Sequence, residues 1–275
     1  MKNLFLVAVF ACLLTACATS PTGRSQFMLI SPESAIVESR AAYLSTVSDL
    51  SKEDKLSSDK ALAKRVASIT GRLVSVAIEE YPRSADWEWS VAIVDDAETV
   101  NAWCMAGGRM AVYTGLFKQL KLTDAEFAQI MGHEISHALA NHTAERMSRA
   151  MATTLGVVAV GVMSDRPAAT MGGAAVAAKL ALELPNSRTA ELEADQLGME
   201  IAVRAGYDAD AAVTLWEKMG AVGGGERAPE FLSTHPAPGN RQTALAAMAN
   251  DMRKLNPNGT KAKVHPIQVL TANVQ

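Results

Sequence analysis

Five consecutive residues constrain this chain more than any other feature: His133-Glu134-Ile135-Ser136-His137. Side chains four apart on a helix lie only about 40° apart around its axis, so two imidazoles at that spacing can reach one metal ion. Glu134 projects about 100° from His133, beside the ion instead of onto it, where a general base for a water on the metal must stand. The pattern works only on a helix, and the flanks supply one. Thr123-Asp124-Ala125-Glu126 reads as a capping box, which predicts a helix from Asp124 to about Met147. A coincidental surface helix is the competing reading, and the capped start weakens it.

A catalytic zinc needs a third protein ligand and an open position. One known solution places a glycine three residues past the second histidine and a further histidine six past it, but Ala140 and Thr143 stand there. On a continuous helix His142 would sit about 140° round from His137 and could not share the metal. The better candidate is Glu191, in Arg188-Thr189-Ala190-Glu191-Leu192-Glu193-Ala194-Asp195. Glu191 and Asp195 share a helical face, so the first could bind the metal while the second accepts the free N–H of a ligand histidine. Glu193, about 200° from Glu191, would face the other side. An acidic helix face is more often simply solvated. An upstream histidine pair that still lacks a ligand makes Glu191 the leading choice.

The opening residues read as an export signal. Met1-Lys2-Asn3 is short and positive, and Leu4 to Ala16 is an apolar run of about thirteen residues. A spanning helix needs roughly twenty. Leu14-Thr15-Ala16-Cys17 resembles the bacterial lipobox, in which the cysteine is lipidated and becomes the mature N-terminus; an ordinary signal peptide with a chance cysteine is the alternative. Ala18 follows instead of Asp, which in enteric-type sorting implies the outer membrane. With Cys12 removed and Cys17 lipidated, Cys104 is left alone, a small buried hydrophobe with no disulfide partner. A net charge of −3 gives no electrostatic reason to expect nucleic acid.

These signals divide the chain into a signal peptide (1–16), a lipidated tether rich in Thr, Ser, Pro and Gly (17–31), a zinc metallopeptidase domain (32–255) and a mobile C-terminal tail (256–275). Helical patterns run over Ser34–Tyr43, Asp59–Glu80, Ala190–Ala205 and Asp208–Met219. Strand patterns run over Trp87–Val94 and Arg109–Tyr113. Leu155–Met163 and Ala168–Leu184 are apolar, but Ser164-Asp165-Arg166-Pro167 interrupts them, so neither spans a bilayer alone. They are expected as packed helices or a cover over the site.

Four segments together resemble the HtpX and CAAX-prenyl-protease superfamily of zinc metallopeptidases, in its bacterial lipoprotein branch. They are Pro21-Thr22-Gly23-Arg24, Asn101-Ala102-Trp103 leading to Gly107-Gly108, Gly132 to Ala138 with His142, and Glu191 to Asp195 with Ser233-Thr234-His235-Pro236. The resemblance implies a mostly helical α+β, gluzincin-like domain with a small sheet beside the active-site helix. It implies one zinc per chain on His133, His137 and Glu191, with Glu134 as base and Asp195 behind a ligand histidine. It also implies that Asn101, Ala102, Gly107 and Gly108 belong to the edge strand along which an extended substrate lies. His235, in a Pro-bracketed loop, would either occupy the open zinc position or, protonated, stabilise the oxyanion; Arg241 could supply the same positive charge.

The expected activity is endoproteolysis of misfolded or misassembled envelope proteins on the periplasmic side of the outer membrane, with the outer-membrane assembly machinery as a further expected partner. Two rivals are an envelope chaperone or assembly factor with a vestigial metal site, and a zinc amidase acting on the cell wall. The intact Glu134 argues against the first, since a structural zinc needs no base.

Overall fold

A computed structural model describes residues 17–162, 184–223, 230–235 and 241–272. The expected signal peptide, the apolar segment 168–183 and the prolines after His235 lie outside the described residues. Within them the chain is a mostly helical α+β domain with a small sheet against the motif helix, as the sequence led us to expect.

Residues 17–31, expected as a tether, instead open with a hairpin: β1 (Cys17–Thr19) pairs antiparallel with β2 (Ser25–Phe27). The turn between them has Gly23 at φ 87°, a left-handed value that disfavours any side chain. Helix α1 (Pro32–Lys52) follows a Ser31 cap with proline in its first turn. Helix α2 (Lys60–Glu80) starts at Asp59, whose carboxylate accepts the Leu62 amide. Its Val66, Ile69, Leu73, Val76 and Ala77 stripe is buried, which is what steps of three and four require.

The main sheet has the order β4-β5-β3-β6, from β3 (Ser90–Val94), β4 (Ala102–Met105), β5 (Arg109–Tyr113) and β6 (Gln268–Leu270). β3 runs parallel to β5 and to β6, and β4 antiparallel to β5, which leaves β4 at one edge. The presence of β6 corrects the expectation of a mobile tail. Its approach is fixed by backbone hydrogen bonds from His265 to Gly71 (3.0 Å) and from Gln268 to Trp89 (3.1 Å).

Short helix α3 (Thr114–Leu120) leads to α4 (Asp124–Leu139), the motif helix. Both halves of the capping box form: Thr123 Oγ1 accepts the Glu126 amide (3.2 Å), and Glu126 Oε2 accepts the Thr123 amide (2.8 Å). The expected continuation to Met147 does not occur. Asn141 takes a left-handed φ of 56°, and a new helix, α5 (His142–Val162), starts in another direction. Asparagine tolerates that backbone better than most residues, so it serves as the break.

α6 (Leu184–Arg204) packs along α4; α7 (Ala211–Gly223), α8 (Glu230–Thr234) and α9 (Arg241–Met252) complete the helical layer. The α4–α6 contact is nearly backbone to backbone. A Cβ on Gly132 would lie 2.6 Å from the Gly198 carbonyl oxygen, and one on Gly198 would lie 2.6 Å from the His133 nitrogen. Two glycines facing each other therefore set how closely the acidic helix approaches the histidines.

Candidate metal centre

α4 brings His133 and His137 to one side, and the close α6 crossing delivers Glu191 opposite them. Their atoms converge. His133 Nε2 and His137 Nε2 are 3.0 Å apart, and Glu191 lies 3.3 Å and 3.5 Å from them through Oε2 and Oε1. His235 completes the group, with Nδ1 at 3.3 Å from His133 Nε2 and 3.2 Å from Glu191 Oε2. One ligand atom from each of the four residues falls within 4.8 Å of all the others. A tetrahedron with metal–ligand bonds of about 2.0–2.1 Å has edges of about 3.3–3.4 Å. The observed separations match that size, so the donors present fit a small divalent cation with nitrogen and oxygen ligands.

Asp195 lies where the shared helix face required. Its Oδ1 is 3.0 Å from His133 Nδ1, so that nitrogen carries the proton and Nε2 presents its lone pair to the cluster. Arg241 does not enter the cleft. Its guanidinium donates to Asp195 and lies 3.4 Å from His133 Nδ1, the nitrogen turned away from the cluster, with its carbon 3.9 Å from the centre of the Trp216 ring. That position differs from the expected oxyanion charge: Arg241 NH1 also lies 3.7 Å from Glu191 Oε2, so the buried guanidinium neutralises two carboxylates of α6.

Glu134 is buried and outside the ligand group. Its Oε1 makes no hydrogen bond and stands 3.4 Å from His235 Nε2. Burial pushes its carboxyl above the ordinary value, against the pull of His235 and His133. Among the converging groups, burial lowers His137 well below the usual imidazole range, with the other histidines adding to it and Glu191 opposing, which leaves a neutral ring. Glu191 is held far down despite its burial, chiefly by hydrogen bonds to His133 and His235. It is therefore ionised.

His235 directly follows the short α8. Its ring stacks on Phe231 with centroids 4.4 Å apart, which holds the side chain over the cluster. A cleft of about 610 Å³ opens beside these groups, lined by Asn101 to Cys104, Glu134 and His235 among others. Asn101 and Ala102 thus reach the cleft with the edge strand β4, whereas Gly107 and Gly108 lie beyond it, in the turn to β5. Cys104, on β4 and in the cleft wall, is a free thiol, its pKa raised by burial.

Three participants escaped the sequence reading. His142, excluded on the premise of an unbroken helix, turns back at the Asn141 break and places Nδ1 2.8 Å from His137 Nδ1. Glu193 points away from the metal-facing group, as its helical angle required, yet accepts from His142 Nε2 at 3.1 Å. Arg24 then binds Glu193 through Nε at 2.9 Å. The Pro-Thr-Gly-Arg turn was the available signal, but nothing in the sequence says what such a turn touches.

A zincin-like helix pair with this donor set defines a class, and comparison with known proteins supplies the family. The profile described as "Peptidase family M48" matches residues 60–249. The chain belongs to that family. It is 39% identical over 168 residues to the mitochondrial metalloendopeptidase OMA1 of Arabidopsis thaliana, covering 60% of this chain and 32% of the relative. To the mitochondrial metalloendopeptidase OMA1 of Bos taurus it is 30% identical over 254 residues, covering 88% and 47%. To the beta-barrel assembly-enhancing protease of Escherichia coli (strain K12) it is 30% identical over 208 residues, covering 73% and 41%. The chain thus spans less than half the length of each of these relatives. No helix among the described residues is long and apolar enough to cross a membrane.

Proposed function

We propose that this chain is a zinc-dependent endopeptidase that hydrolyses peptide bonds in misfolded or misassembled envelope proteins. His133, His137 and Glu191 hold the zinc, one per chain, and Glu134 is the general base. The observation that carries this reading is the convergence of two imidazole nitrogens and an ionised carboxylate at tetrahedral spacing beside a buried carboxylate with one free oxygen. Zinc, when bound, supplies Lewis-acid polarisation of the scissile carbonyl and acidifies the attacking water. Glu134 takes the proton of that water and hands it to the leaving nitrogen; its raised pKa suits both halves of the transfer. Asp195 fixes the His133 tautomer. The backbone of β4 offers an edge to which an extended substrate adds as a further strand, with Asn101 and Ala102 at the cleft.

The same geometry supports a second role, for His235. Its Nδ1, 3.3 Å from His133 Nε2 and 3.2 Å from Glu191 Oε2, would serve as a fourth ligand to the zinc in place of water, and so plug the resting enzyme. Once displaced and protonated, the same ring would serve as an oxyanion donor.

A lipid on Cys17 would hold the enzyme on the periplasmic side of the outer membrane. Among the relatives, the protease named for enhancing β-barrel assembly supports a reading with protein substrates.

The test is to incubate zinc-loaded full chain, wild type and His235→Ala, with casein, with and without a chelator. Cleavage is expected, strongest in His235→Ala and absent with chelator. Glu134→Gln is expected to abolish cleavage, a loss of about 10²–10⁴-fold, while keeping one zinc per chain. Intact casein from both loaded proteins sinks the reading; loss of zinc from Glu134→Gln reassigns that residue.

A further inference from the structure

The hairpin at the start of the described chain touches the metal centre through an unbroken series of polar contacts. Thr22 Oγ1 donates to Glu193 Oε1 at 2.7 Å, and Arg24 Nε donates to Glu193 Oε2 at 2.9 Å. The opposite edge of the Arg24 guanidinium grips Glu145 with two bonds, 2.9 Å from NH1 and 2.7 Å from NH2. Glu145 also receives Gln26 Nε2 at 2.9 Å and Arg149 at 2.7 Å. These carboxylates are buried, with Glu193 3% and Glu145 6% exposed, and the guanidinium itself is only 16% exposed. One planar group thus ties α5 to α6 on the side of α4 away from Asp195.

The polarity of the series is fixed by its end. An ionised carboxylate only accepts, so His142 Nε2 carries a proton and donates it to Glu193. A neutral His142 then has a bare Nδ1, which can only accept from His137 Nδ1. With its proton on Nδ1, His137 must present the lone pair of Nε2, and that is the atom among the four converging ligands. The tautomer and ring angle of His137 therefore depend on where Glu193 is held, and Glu193 is held by residues of the hairpin turn.

We propose that Arg24 is a positioning residue of the metal site, acting on the ligand His137 through Glu193 and His142, with Thr22 as its auxiliary. The inference rests on the reading of His137 as a zinc ligand. It gives the Thr22-Gly23-Arg24 turn a purpose: Gly23 supplies the left-handed backbone that lets Thr22 and Arg24 reach the same carboxylate. Lysine cannot replace Arg24 fully, because an ammonium is a point charge and cannot present a fork to one carboxylate and an Nε to another.

The experiment measures zinc affinity of the full chain against a competing chelator at constant pH, together with thermal melts of the zinc-free proteins. His142→Ala is expected to weaken zinc binding by about 10–100-fold, the usual cost of losing the partner behind a ligand. Arg24→Ala is expected to weaken it by about 10-fold, with Arg24→Lys between that variant and wild type. The double variant Arg24→Ala/His142→Ala is expected to bind zinc no more weakly than His142→Ala alone, because the effect of Arg24 travels through His142. Thr22→Val, which leaves both ion pairs in place, covers the case in which Arg24→Ala does not fold, and about a 2–3-fold loss is expected. A lower melting temperature with wild-type zinc affinity in Arg24→Ala and Thr22→Val would make the hairpin merely structural and overturn the proposal. Additive losses in the double variant would do the same. His133→Ala is the control for the underlying reading: if it keeps wild-type zinc affinity, the metal assignment fails first, and separately.

Discussion

The two motif histidines sit four residues apart on one helix, yet they are backed by different chemistry. Behind His133 stands a carboxylate in direct contact, Asp195, neutralised by the buried Arg241; both belong to the helical layer that packs on α4. Behind His137 stands another imidazole, then Glu193, then an arginine from a hairpin more than a hundred residues earlier in the chain. Burial opposes a charge on both rings. At His133 the bonds to Asp195 and Glu191 outweigh it and lift the pKa to about 9, whereas His137 stays well below its ordinary value. The two histidines at helical spacing are thus unequal in what lies behind them. One is held by a local contact, and the orientation of the other is set from a distance.

The largest expected effect lies where the two sides meet. Glu191 touches both histidines, so Glu191→Ala should lose stoichiometric zinc, read by metal analysis after dialysis. Glu193→Ala, two residues on, should keep one zinc per chain at reduced affinity. Reversal of that order breaks the contrast between ligand and support.

Next comes the His133 side. Asp195→Asn should lower stability by about 3 kcal/mol in denaturant melts, because the buried Arg241 loses its nearer counter-charge and keeps only Glu191, 3.7 Å away. Its loss should exceed that of Arg24→Ala, which leaves Glu145 with Arg149 and Gln26, and Glu193 with His142 and Thr22. Equal losses would mean that the two sides are equivalent after all.

His235 lies between the sides, its ring centre 5.1 Å from that of His133 and 5.4 Å from that of His137. His235→Ala should raise basal peptidase activity if the plug governs the resting state. A fall of about 10²-fold or more would assign it to oxyanion stabilisation. Unchanged turnover and zinc affinity would remove it from both roles.

The smallest effect concerns acid. The Glu145 pKa falls from 4.5 to about 2: burial would raise it, but hydrogen bonds from Arg24, Arg149 and Gln26 prevail. A depressed carboxylate contributes stability that is fully present above the unfolded pKa and is lost as pH falls through the folded one. Melting temperatures of Glu145→Gln should therefore converge towards those of wild type between pH 4.5 and 2, having been lower above that window. Parallel curves would show that Glu145 does not anchor the His137 side electrostatically.

Local patterns carried much of the site. The capping box, the histidine spacing and the Glu191–Asp195 face are properties of single helices, and the structure bears out their geometry. What failed depended on contacts between distant segments. The exclusion of His142 assumed that the helix ran on, and one left-handed residue, Asn141, undid it. The C-terminal segment has no periodicity because only three residues enter the sheet. Its seat is prepared elsewhere, by Gly71, where a Cβ would lie 2.5 Å from the His265 carbonyl oxygen. Residues 18–27 carried a plain turn signal, but their partners, Glu145 and Glu193, come from helices that no local rule links to them.

The hairpin also has a spatial consequence. From Cys17, at the start of β1, to Thr22, whose hydroxyl meets Glu193, there are five peptide steps, at most about 18 Å of extended chain. With the proposed lipid on Cys17, that is a stem and not a leash. A stem fixes altitude: the cutting site would ride at nearly constant height over the bilayer and sweep a thin layer of the compartment. Proteins stalled at the membrane would fall within that layer, and those adrift in the middle of the periplasm would pass above it.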